Sequence, residues 1–208
     1  MKGLLLKDWY MMTKYCRAYL LIAAIFIGVS FMDPNNSFFV FYPCVLCGMI
    51  PMNLLAYDER SGWMSYSGTL PYTRSQIVSA KYLIGLMTQA AMLILTGIAQ
   101  TVNMTVNGNF DLGSFMVTML IMLIISLLSS CIALPFVFKL GVERGRIYYY
   151  IMVGVVCAAS IAGSNIMRAG SDTQIDAGGI LCMIAAVGVG LYALSWYVSI
   201  VFFKKREL

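Results

Sequence analysis

Cys44 and Cys47 form a Cys-x-x-Cys pair, a spacing that serves thiol redox centres and half of a zinc site. The complement of such a site is missing, because the chain contains no histidine and no second Cys-x-x-Cys. The other cysteines, Cys16, Cys131, Cys157 and Cys182, stand singly. A thiol in apolar surroundings also serves as a small hydrophobe, so the pair reads either as a membrane-embedded redox couple or as packing. No carboxylate pair, no nucleophile beside a base and no glycine-rich phosphate loop ending in Lys-Ser/Thr can be assembled. No residue is therefore assigned a catalytic, cofactor-binding or metal-binding role, and the chain is not expected to be an enzyme by itself.

A different chemistry, recognition, is suggested by the most polar stretch, which runs from Tyr57 to Tyr82. Asp58, Glu59 and Arg60 lead out of an apolar segment. Residues 61–69 are expected to form a short helix with Trp63, Tyr66 and Leu70 on one side, ended by Pro71. Thr73 and Gln76 have the spacing of a capping box that starts the next helix. Aromatic side chains on a short exposed helix suit a docking surface. They also suit the aromatic belt at a membrane–water interface, and both readings stay open. Within the apolar segments the polar residues are mild, and Asn53 and Gln89 are the candidates for lining a cargo path. With no charge at the centre of any span, a transporter built this way would need energy from a partner and would suit an amphipathic or apolar cargo.

The elements that position these residues follow from composition. Of the 208 residues, 61% are hydrophobic and 11% are charged, and the mean hydropathy is +0.83. A soluble domain of this size cannot bury that much apolar surface. The chain is expected to be an all-α polytopic membrane protein with six transmembrane helices over 18–32, 38–57, 76–103, 114–138, 147–167 and 178–203. Pro43 and Pro51 should bend or loosen the second of them. Residues 1–17 are expected to form an amphipathic helix in the membrane interface, with Leu5, Trp9, Met12 and Cys16 on one face and Lys7, Lys14 and Arg17 on another. Small residues recur every four positions at Gly154, Ala158 and Ala162, and again at Gly178, Cys182, Ala186 and Gly190, which permits close helix packing.

Charge placement orients the chain. With both termini in the cytoplasm, every one of the 14 basic residues except Arg168 falls on the inside, including the tail over 204–208. Such asymmetry is what the positive-inside rule requires of an even number of spans. The net charge of +5 therefore belongs to membrane flanks, and no nucleic-acid partner is expected.

The opening Met1-Lys-Gly-Leu-Leu-Leu-Lys-Asp-Trp-Tyr10 resembles the start of small permease subunits of bacterial ATP-binding-cassette transporters, of the type-2 permease superfamily. The loop is similar too: Tyr57-Asp-Glu-Arg-Ser-Gly-Trp63, then Thr69-Leu-Pro-x-Thr-Arg74, then Lys81-Tyr82. The resemblance implies a permease in the bacterial cytoplasmic membrane that pairs, as a homodimer or heterodimer, and assembles with separate ATPase subunits that bind ATP and Mg. It implies that residues 1–17 are the interfacial elbow and that the loop over 58–75 is the coupling segment seated on the ATPase. Asp58, Glu59, Arg60, Trp63, Tyr66 and Leu70 would make that contact, and Glu143, Arg144 and Arg146 a secondary one. The implied activity is export of an amphipathic or hydrophobic cargo, such as an antimicrobial peptide, a drug or a lipid. The competing classes are a membrane thiol redox enzyme using Cys44 and Cys47, and an accessory subunit of a sensory complex that transports nothing.

Overall fold

The computed structural model describes residues 2–31, 38–67, 69, 71–107, 111–147, 150, 151, 154 and 177–205. All regular structure among them is helical: α1 (Lys2–Tyr15), α2 (Arg17–Ser30), α3 (Phe38–Gly48), α4 (Ile50–Arg60), α5 (Trp63–Ser67), α6 (Arg74–Val106), α7 (Leu112–Leu140) and α8 (Ala177–Lys205). A further short helical segment covers 142–147.

Of the six predicted spans, the third, fourth and sixth are single long helices, whereas the first and second are short or broken. Among the described residues, three helices are long and apolar enough to cross a bilayer, over Arg74–Val106, Leu112–Lys139 and Met183–Lys204. A fourth is obtained if α1 and α2, bent by 65° at Cys16, are taken as one broken span. The physical reasons are local. With 14 residues, α2 reaches about 21 Å at roughly 1.5 Å per residue, short of a hydrocarbon core of about 30 Å. The predicted second span is divided at Met49 into two helices of 11 residues each. The predicted fifth span, 147–167, lies largely outside the described residues, as do its small-residue ridge and Leu70.

The division at Met49 has an identifiable cause. Pro51, at the start of α4, has no N–H to continue the helical ladder. The Cys47 carbonyl, four residues back, therefore loses its helical donor, and the ladder resumes at the Met49 carbonyl, which accepts from both the backbone N–H (3.0 Å) and the side-chain amide (3.1 Å) of Asn53. Just before the break, Gly48 lets α3 press against α7. A Cβ added there would stand 2.7 Å from the Ser129 Cβ, inside van der Waals contact.

Helix ends follow their residues. Thr73 and Gln76 form a complete capping box at the start of α6. Asp111 caps α7, accepting hydrogen bonds from the Ser114 hydroxyl and from the N–H groups of Ser114 and Gly113. Those bonds, the Ser114 hydroxyl first, hold its carboxyl below the usual carboxylate range. Gly62, at φ +70°, turns the chain sharply between α4 and α5, a conformation that suits glycine because it has no Cβ.

The bundle is sewn together along α6, α7 and α8. Tyr82 is fully buried, and its hydroxyl meets the hydroxyls of Ser195 (2.8 Å) and Ser199 (2.7 Å). Its ring stacks on Trp196 at 5.6 Å, and the Trp196 indole N–H donates to Ser79. Tyr192 donates to the Tyr82 carbonyl, and Ser195 donates to the Cys131 carbonyl. Polar side chains satisfied across helix pairs hold a bundle where apolar burial alone is weak, since lipid is as apolar as leucine.

These contacts also sort the helix ends. At one end meet the start of α1, the end of α4, the start of α6 and the ends of α7 and α8. Lys7 reaches Asp58, Arg74 donates to the Lys204 carbonyl at 3.0 Å, and Phe138 packs edge-on to Phe203. At the other end the Asn103 side chain of α6 donates to the Ser30 carbonyl that closes α2. α7 and α8 therefore run parallel.

Candidate functional site

The last turn of α4 carries Tyr57-Asp-Glu-Arg60, and the three charged residues take three different courses. Asp58 turns inward and is 1% exposed. Its carboxylate accepts from Lys7 Nζ at 2.7 Å through Oδ1. Its Oδ2 lies 2.6 Å from Lys81 Nζ, an ionic contact without an aligned hydrogen bond. Lys81 also donates to Asp8 Oδ1 at 2.7 Å, and Lys7 sits 3.4 Å from the same oxygen. Two lysines and two aspartates thus form a closed cluster of zero net charge joining α1, α4 and α6. Asp8, Asp58 and Lys81 are all buried to 2% exposure or less.

Glu59 reaches sideways. Its Oε2 accepts from the Val142 N–H at 3.1 Å, which ties the loop to the start of the 142–147 segment. Arg60 is exposed. The two cytoplasmic connections expected from the sequence are therefore in direct contact, and Arg146 adds a 3.5 Å contact to the Asn53 side-chain oxygen. Between them opens a cleft of about 880 Å³, lined by Tyr15, Tyr19, Asn53, Ala56, Tyr57, Glu59, Arg60, Gly141, Val142, Glu143, Arg144 and Arg146. Tyr15 and Tyr57 stack across it with ring centroids 4.5 Å apart.

The two loop aromatics also part ways. Trp63 is half-buried and belongs to the main apolar cluster, and Lys7 Nζ lies 4.2 Å above the centre of its ring. Tyr66, with its ring centroid 5.8 Å from that of Trp63, is 59% exposed. Tyr66 is thus the aromatic with a face open to a partner, while Trp63 is largely spent on the protein's own α1. Leu70 lies outside the described residues.

Neither of the two residues singled out for a cargo path faces open space in the same way. Asn53 is 6% exposed and touches the cleft. Gln89 is 3% exposed and donates to the Ser126 carbonyl (2.6 Å) and to Ser130 Oγ (2.7 Å), joining α6 to α7. Its own side-chain oxygen has no hydrogen-bond partner among the described residues.

Cys44 and Cys47 are free thiols, each 1% exposed, on α3. No group of three potential metal ligands occurs among the described residues. Cys44 packs with Met122 in one apolar cluster, and Cys47 with Ile50, Leu54 and Ile84 in another. Replacing both with alanine is expected to leave transport within about twofold of the wild type, because only small packing losses follow. Loss of transport in a variant that still inserts and folds would restore the redox reading; transport of a fluorescent hydrophobic dye into inside-out vesicles is the measurement.

Sequence reasoning missed the centre of this arrangement. It placed Leu5, Trp9, Met12 and Cys16 on one face of the first helix. The buried face is instead Leu4, Asp8, Met12 and Cys16, and Trp9 is 47% exposed. One residue of rotation puts an aspartate in the middle of an apolar stripe. An acid at a four-residue repeat with Leu4, Met12 and Cys16 was the available signal, together with Lys81 two turns into an apolar helix.

A membrane chain whose described elements are all helical, with a buried charge cluster and a short helix exposing Tyr66 at one end, has the make-up of a transport subunit. Residues 3–204 match the ABC-2 family transporter protein family. The chain belongs to that family, and so is a multi-pass membrane permease of an ATP-binding-cassette transporter. Permeases of this kind typically pair with an ATPase subunit. No curated protein and no solved structure matches the chain.

Proposed function

We propose that the chain is the membrane permease of an exporter in the bacterial cytoplasmic membrane. In this reading it moves an amphipathic or hydrophobic cargo (a peptide, a drug or a lipid) outward, with ATP hydrolysed by a separate subunit that holds ATP and Mg. The observation that carries the reading is the loop after α4. It presents Tyr66 outward while Asp58, Glu59 and Trp63 anchor it to α1, to α6 and to the 142–147 segment. A short helix held on several sides and exposed on one is suited to receive a push from a partner and pass it to the spans.

The helix ends support six spans with both termini inside. Lys7, Arg60, Arg74, Lys139, Arg146 and Lys204 collect at the end where α4, α7 and α8 finish, as a cytoplasmic face should. Because α7 and α8 are parallel, six spans need one crossing between Leu140 and Ala177, the part of the chain that contains the apolar stretch 147–167. Exposed apolar side chains along α8, among them Met183, Val187, Leu194 and Tyr197, fit either lipid or a second permease, identical or related.

The test is reconstitution. The tagged chain should co-purify with its cognate ATPase, and hydrolysis should rise when an amphipathic helical peptide, a hydrophobic dye or a fluorescent lipid is added. Failure to recover any ATPase under mild solubilisation, together with no accumulation of the three probes in inside-out vesicles, would overturn the export reading.

A further inference from the structure

The four clustered charges do more than the export reading requires, and Lys7 shows why. It is the least buried of them, with 24% of its side chain exposed. From α1 it reaches three places at once: Asp8 on its own helix, Asp58 at the end of α4, and the face of Trp63, the first residue of α5. The far side of the loop returns to the same helix. A Cβ on Gly3 would lie 3.2 Å from the Tyr72 hydroxyl, and Leu4, Leu5, Trp63 and Tyr72 share one apolar cluster. Both flanks of the loop therefore rest on the first two turns of α1.

We propose that the Lys7–Asp8–Asp58–Lys81 cluster is a positioning joint that locks the loop over 58–75 to α1, so that α1 moves together with the loop. The part played in ATP coupling rests on the export reading; the locking itself does not. Physically, Lys81 and Asp8 are nearly sealed from water and fasten α1 to α6, while Lys7 is the half-open member that reaches the loop. A charged group held between two carboxylates and an aromatic face has a strong preference for that one place. If the loop is displaced, Asp58 and Trp63 either draw Lys7 and α1 with them or leave buried charge unpaired, which is the costlier course. The joint thus favours concerted motion over independent motion of loop and helix.

Lys7→Met is the separating variant. It keeps a flexible apolar side chain of similar length beside Trp63, and it leaves Asp8, Asp58 and Lys81 in place to hold α1, α4 and α6. Two readouts are compared in the full-length protein in detergent micelles. The first is trypsin cleavage after Arg60 and Arg74, the basic residues that flank the loop. Proteolysis of a transiently opened segment follows the population of the open form. Loss of the charged contact is expected to raise cleavage at both sites about tenfold, the equivalent of about 1.4 kcal/mol. Because position 7 is part-exposed, water can enter there to hydrate the carboxylate left unpaired, and the thermal midpoint of the whole protein is expected to stay within a few degrees of the wild type. Cleavage at the wild-type rate would overturn the joint whatever the protein transports. Equal losses of loop protection and of global stability would also overturn it, because Lys7 would then be an ordinary structural residue.

The second readout is ATP hydrolysis by the complex with the cognate ATPase, relative to the ATPase alone. Lys7→Met is expected to keep complex formation while reducing the stimulation of hydrolysis by the permease several-fold. A wild-type chain that recovers no ATPase would sink the export reading while the cleavage result still decides the joint. A variant with an unlocked loop and undiminished stimulation would show that the joint does not transmit motion, and that part of the proposal would be wrong.

Discussion

Replacing Asp58 with leucine is expected to destabilise the solubilised protein by about 3–5 kcal/mol, the usual cost of removing one partner from a buried ion pair. Lys81, 2% exposed, would face Asp8 alone, and Lys7 would lose its shortest contact. The four charges sum to zero only while all four are present. Deleting Asp58 leaves about one uncompensated positive charge, part of it on Lys81, which is sealed from water. Arg60→Leu, two residues along on the exposed surface, is the matched control and is expected to change stability by under about 0.5 kcal/mol. Chemical unfolding in a fixed detergent, followed by tryptophan fluorescence, measures both. A loss below about 1 kcal/mol for Asp58→Leu would mean that water reaches Lys81, and the sealed cluster would not describe the protein in solution.

Tyr66→Ala is expected to weaken association with the ATPase by about 2 kcal/mol, roughly 30-fold in affinity, without affecting insertion or stability. Its ring is 59% exposed and stands beside a Trp63 already covered by Lys7, so its removal takes away partner contact and little internal packing. Trp63→Ala tests the same surface less cleanly, because it also exposes part of the main apolar cluster. Affinity is read from titration of the ATPase onto the permease in nanodiscs. Unchanged affinity for Tyr66→Ala would make the loop aromatics interfacial anchors, the other role that their position in the sequence allows.

Much of the architecture is local and was legible. Helices follow from apolar runs, and the Thr73–Gln76 spacing predicts the cap that starts α6, where both bonds of the box are present. The short helix expected over 61–69 starts two residues later, at Trp63, because Gly62 first turns the chain at φ +70°. Membership of a permease family was readable in the opening ten residues and the loop, and the match over 3–204 bears it out. Each of these depends on residues a few positions apart, where backbone geometry alone dictates what meets what.

The joint and the cleft are of a different kind. Lys7 meets Asp58 across 51 positions, and Lys81 meets Asp8 across 73. Whether Asp8 or Trp9 lies on the buried side of α1 depends on a rotation of about 100°, one residue's worth of helix. An amphipathic pattern with large aromatics on both sides of a charge cannot fix that angle, since burying Trp9 and burying Asp8 are both acceptable until the surroundings are known. The amino-acid sequence by itself determined that this protein is a membrane-embedded helical permease. Only the tertiary structure decided that Asp58 belongs to the interior and Tyr66 to the surface, because the energy of a buried charge is set by the partner that packing delivers to it and not by its neighbours in the chain.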